Sequence, residues 1–86
     1  MIKLKIDIIN QNVILLNTIE DEQFLYFKQH CLPLINKLTR ETSFSNIEMA
    51  KEYAKQISKI CNEHNFNLTT GAIESGSLMV YVKRNA

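Results

Sequence analysis

Eighty-six residues with ten basic and nine acidic side chains, a net charge of +1, read as one domain spanning residues 1–86. So even a balance excludes a general electrostatic binder of nucleic acid or anionic membrane. The longest apolar run, Val13-Ile14-Leu15-Leu16, falls far short of the roughly 20 residues of a membrane span, so no membrane contact is expected.

Lys3, Lys5 and Asp7 interrupt any apolar leader, and two cysteines then read as reduced thiols of a cytoplasmic protein. Ile, Asn and Lys are abundant and share AT-rich codons, which fits a phage or mobile element, or an AT-rich bacterium.

Along the chain, Ile2, Leu4, Ile6 and Ile8 alternate with Lys3, Lys5 and Asp7, the period of a half-buried strand. Asn10-Gln11-Asn12 supplies turn residues that tolerate positive φ, and residues 13–16 follow as a second strand. Asn17 or Thr18 can cap the next helix, with Glu20, Asp21 and Glu22 placed to favour its N-terminal dipole. Phe24, Phe27, Cys31, Ile35 and Leu38 step by three and four. Pro33 removes a helical donor and clashes with the carbonyl of Gln29, so a kink or two shorter helices are expected near residues 30–32. Residues 39–43 are expected to form the connection.

The next helix is the best marked. Ser45 is its N-cap, Glu48 completes a capping box, and Phe44 with Met49 forms the staple. Ile47, Ala50, Ala54, Ile57, Cys61 and His64 form one stripe, and Asn65 is the left-handed stop. Its outer face, with Glu48, Lys51, Glu52, Lys55, Lys59 and Glu63, is balanced in charge and reads as solvated. Residues 66–73 read as a strand, Glu74-Ser75-Gly76-Ser77 as a turn with Gly76 left-handed, and residues 78–83 as the closing strand; Asn85 and Ala86 should fray.

The expected fold is a two-layer α+β sandwich, ββααββ: an antiparallel helical hairpin on one face of a four-stranded antiparallel sheet. Counting outward from a short loop near Glu41 sets Leu38 opposite Ile47, Cys31 opposite Ala54 and Phe24 opposite Cys61. The hairpin pairings follow from the turns; the order of the strands does not.

His30, Cys31, Cys61 and His64 are zinc-ligand types, but the expected register offsets the two cysteines by roughly 10 Å. The same offset opposes a disulfide. His30 cannot turn onto its neighbour Cys31 within a regular helix, Cys61–His64 lacks an evident third member or oxyanion donor, and no phosphate-binding or metalloprotease motif is present. A small metal- or thiol-dependent enzyme is therefore the third choice; no catalysis, metal or cofactor is expected.

The informative feature is the sheet face away from the helices. Ile9, Met79, Tyr81 and Ile73 are the candidate partner-binding residues, because a mixed, partly apolar face is rarely left to water. The expected function is a small non-catalytic binding protein acting by contact with a protein partner, or with itself as a homodimer. A regulator or inhibitor from a phage or mobile element is the concrete form. The alternative is an RNA- or DNA-binding module using Lys3, Lys5, Tyr81, Lys83 and Arg84.

Overall fold

The computed structural model describes residues 1–16, 19–44 and 47–85, and of Ile47 the backbone alone. The expected caps at Ser45, Asn17 and Thr18, the side chain of Ile47 and the fraying of Ala86 lie outside the described residues. Asn85 does not fray, because its N–H donates to the Asn65 carbonyl at 2.9 Å.

The alternation at the start of the chain becomes β1, Ile2–Asp7, whose Ile2, Leu4 and Ile6 are buried. Asn10 and Gln11, at a φ of 52° in Gln11, turn the chain into β2, Asn12–Leu15. Two hairpins, β1–β2 and β3–β4 (Phe66–Glu74 and Ser77–Arg84), join through their long inner strands. The order is β2-β1-β4-β3, antiparallel throughout, so the first and last strands form the centre of the sheet. The fold is the expected α+β sandwich, and no described helix is long and apolar enough to cross a membrane.

The hairpin turns hold each other. Ser75 and Gly76 both take positive φ, 52° and 74°, as a two-residue turn between right-twisted strands requires. A Cβ on Gly76 would stand 2.6 Å from Cδ1 of Ile9, and the Ile8 N–H donates to the Gly76 carbonyl at 2.9 Å. Only glycine lets Ile9 lie this close. At the same end, the Gln11 amide donates to the carbonyls of Arg40 (3.2 Å) and Thr42, which fastens the turn to the end of a helix. Helix-terminal carbonyls have no partner within their own helix, so this is a capping bond made from a distance.

Three helices cover one face: α1 (Glu22–His30), α2 (Leu32–Glu41) and α3 (Ile47–Glu63). Asp21 itself caps α1, its carboxylate accepting from the Phe24 N–H at 2.8 Å, so the cap lies three residues past Thr18. Pro33 sits in the first turn of α2, where a missing N–H costs nothing, and the helices part at Cys31 as its position dictates. α2 continues through Thr39 to Glu41, into the stretch read as a connection. Asn65, with a φ of 66°, ends α3 in the left-handed conformation.

The core joins Ile2, Leu4, Ile6, Leu78, Val80 and Val82 from the sheet with Phe24, Phe27, Cys31, Ile35, Tyr53, Ile57 and Cys61 from the helices. Tyr53, not Ala54, completes the α3 stripe; it is 1% exposed. Its hydroxyl meets that of Thr39 at 2.6 Å, while Thr39 lies 2.6 Å from the Ile35 carbonyl and donates to it. Thr39 has one proton, so Tyr53 must donate to Thr39. We predict that Thr39→Val strands the Tyr53 proton and costs about 1–3 kcal/mol. Adding Tyr53→Phe recovers about 1 kcal/mol of that loss. Urea unfolding of the double-mutant cycle measures this; additive losses would rule out the buried pair.

Candidate functional site

The side chains pointing away from the helices form a continuous face. On β1 these are Lys3 and Lys5; on β4 they are Met79, Tyr81 and Lys83. Directly paired residues share a face, so the register converts these positions into rows. Ile14, Lys5 and Met79 make one row; Lys3, Tyr81 and Thr69 make the next; Lys83 stands beside Asn67. Leu16 extends the second row, its N–H donating to the Lys3 carbonyl at 3.0 Å. Ile14 and Leu16 are 38% and 42% exposed, and Met79 and Tyr81 are half-buried by their neighbours. No described helix packs on this side.

The face is electrostatically graded: Lys3, Lys5 and Lys83 occupy its rows up to Met79, and Asp7, Ser77 and Glu74 make the last row, which is acidic. Lys3, Lys5 and Lys83 lie among the apolar residues. Asp7, at the end of β1, is engaged in the turn: its carboxylate accepts from the Asn10 N–H at 3.1 Å and the Asn10 amide at 2.8 Å. These bonds, the backbone one first, hold its carboxyl below the usual carboxylate range. Away from that acidic end, the rows from Ile14–Lys5–Met79 to Lys83 alternate basic and apolar side chains.

Met79 and Tyr81 lie together at its centre, one strand residue apart on the same side. Ile9 lies in the β1–β2 turn, 76% exposed and against Gly76, at the margin. Ile73 does not join them. An irregularity between Thr70 and Ile73 shifts the register, and Ile73 pairs with Leu78, on the helix side. Arg84 also leaves the set. It pairs with Phe66 and holds its guanidinium 5.6 Å and 5.8 Å from the ring centroids of Tyr26 and Phe66, on the helix side. Lys3, Lys5, Tyr81 and Lys83 do share the open face.

The thiols and imidazoles separate. Tyr26 bonds His64 through its hydroxyl and Nδ1 at 3.2 Å, and Tyr53 bonds Thr39; these two contacts set the register of the helical layer. Cys31 then comes level with Cys61, not Ala54, which corrects the axial offset expected from the loop. Both thiols are free and buried in the core. His30 and His64 instead stack at the rim, with ring centroids 6.1 Å apart. Among the described residues, no group of three or more His, Cys, Asp or Glu gathers where a metal ion could be held.

A second surface escaped the sequence reading because its components looked solvated. The outer flank of α3 and the helix-side row of β3 enclose a groove of about 580 Å³, continued by one of about 230 Å³. Ala54 and Thr70 border both parts. Lys51, Lys55 and Lys59 stand along it; Glu48 and Glu52 are absent from the lining, although Glu48 reaches Lys51 at 3.4 Å. Their i, i+4 spacing was visible in the sequence, but the strand edge opposite them was not.

No protein-family model matches the chain, and no curated protein or solved structure matches it either.

Proposed function

We propose that the protein is a small non-catalytic binding protein that docks a protein partner on its open sheet face. The observation that carries this reading is the pair of rows Ile14–Lys5–Met79 and Leu16–Lys3–Tyr81, on the side left uncovered by α1, α2 and α3. Alternating lysines and apolar side chains match a partner surface that is apolar with acidic residues between. They oppose a face-to-face homodimer, since a two-fold contact would set lysines against lysines. Occlusion of a partner's own surface, and thus its inhibition or regulation, is the form of action a chain this small can supply; the cytoplasm is the compartment that fits its unpaired thiols.

Tyr81→Asp and Met79→Asp place a carboxylate at the centre of the contact. Each is expected to weaken partner binding at least about tenfold, with unchanged far-UV circular dichroism. The second reading, nucleic-acid binding, is favoured by the cross-strand pairing of Lys3 with Tyr81 and by Lys5 and Lys83 nearby. Its signature is binding to a mixed oligonucleotide pool that falls steeply with salt. Arg84, on the other side of the sheet, contributes nothing to it.

A further inference from the structure

β3 is an edge strand with an unusual composition. Its nine residues carry one charge, Glu74 at the last position, and no proline or lysine; the irregularity between Thr70 and Ile73 interrupts it late, so residues 66–70 form a regular edge without such protection. Edge strands normally carry such features because unpaired N–H and C=O groups invite another strand. Above this edge runs the α3 flank, with small residues Ala50, Ala54 and Ser58 facing Leu68, Thr70 and Ile73 across the groove.

The charges along the groove have a matching period. Lys51, Lys55 and Lys59 recur every four residues, about 6 Å along a helix. Side chains on one face of a strand recur about every 6.6 Å. From Ala50 to Asn62 the helix spans about 18 Å, the length of a strand of five or six residues. Lys51 is paired with Glu48 at 3.4 Å, whereas Lys55 and Lys59 meet no carboxylate among the described residues. Glu63, at the far end, is the one acidic side chain of the lining.

We propose that this edge takes an extended peptide segment with acidic side chains at alternate positions, added as a fifth strand beside β3. Its backbone pairs with the free edge of β3. The helix-facing side chains rest on Ala54, Ser58 and Leu68, and their carboxylates reach Lys55 and Lys59. A second copy of this chain is the wrong occupant, because a two-fold pairing of β3 edges would bring both lysine rows to one seam. The site differs in face and residues from the open sheet surface, so the two stand or fall separately.

The probe is a peptide of about seven residues with glutamate at alternate positions separated by valine, beside its lysine-for-glutamate counterpart. Binding is followed by backbone amide shifts of the whole protein. Expected are shifts concentrated in residues 67–73, weakening with salt, and at least about tenfold loss in the Lys55→Glu/Lys59→Glu variant. Both lysines are exposed, so that variant should fold normally. Lys5→Glu, on the open face, leaves binding unchanged. Any one of four results overturns the proposal: no saturation up to about millimolar peptide, equal binding of the lysine counterpart, shifts centred on β1, or wild-type affinity in the Lys55→Glu/Lys59→Glu variant.

Discussion

Phe27→Ala is expected to remove about half of the stability of the chain. Phe27 is fully buried where α1 meets the sheet, and its ring stands edge-on to Phe66 with centroids 5.6 Å apart. Removing a buried phenylalanine costs about 3–5 kcal/mol, from lost transfer energy and from the cavity left behind. A domain of this size has about 5–10 kcal/mol in total, so the variant loses about half of it. Phe66 opens β3 just after the left-handed Asn65, and the Asn85 N–H donates to the Asn65 carbonyl at 2.9 Å. The damage therefore reaches the junction of α3, β3 and β4. Phe27→Leu fills most of the space and should lose much less. Urea unfolding of the pair is the check; equal losses would mean that the ring's packing does not matter.

The second large effect is alkaline. Burial pushes the Cys31 thiol from 9.0 up to about 11 and the Cys61 thiol up to about 12, the latter also by the nearby Cys31 charge. Burial likewise lifts the Tyr53 phenol from 10.0 up to about 12, against the lowering effect of the Thr39 hydrogen bond. The folded state thus holds these protons more tightly than the unfolded chain. The stability they confer is complete below about pH 9 and is lost as pH rises through the folded values near 11 and 12. Each proton contributes up to about 1.4 kcal/mol per pH unit, so three groups give about 4 kcal/mol per unit at most, between pH 10 and 11. The urea midpoint should fall steeply across that window. In Cys31→Ala/Cys61→Ala the slope should shrink to the share of Tyr53; an unchanged slope would place the protons elsewhere.

What the residues disclosed in advance, and what they hid, divides along physical lines. Period-two alternation in residues 2–7 and 78–83 reports burial on one face, and both strands formed with the buried side as read. Pro33 acts locally, through a missing donor and a clash, so the break beside it was legible. The helix register was not. It depends on α2 reaching Glu41 and on where the far ends meet, and Tyr26–His64 and Tyr53–Thr39 are long-range contacts. Tyr53 was overlooked because a phenol reads as half polar; the partner that satisfies it, Thr39, lay in what looked like a loop. Ile73 was misplaced because an irregularity after Thr70 reverses the alternation, and one shifted residue moves a side chain to the other face. Of the candidate site, Met79, Tyr81, Lys3, Lys5 and Lys83 followed from alternation alone. Ile14 joined them only once the β1–β2 register was known.

The proposed docking of a protein partner is on the open face of the sheet. The most direct measurement is amide hydrogen exchange on the protein, alone and with the partner recovered from its source cells, repeated with Tyr81→Asp. New protection is expected to centre on β1 and β4 and to be lost in the variant while the chain remains folded. Protection confined to α1, α2 and α3, or a Tyr81→Asp chain that binds the partner as tightly as the parent, would contradict it.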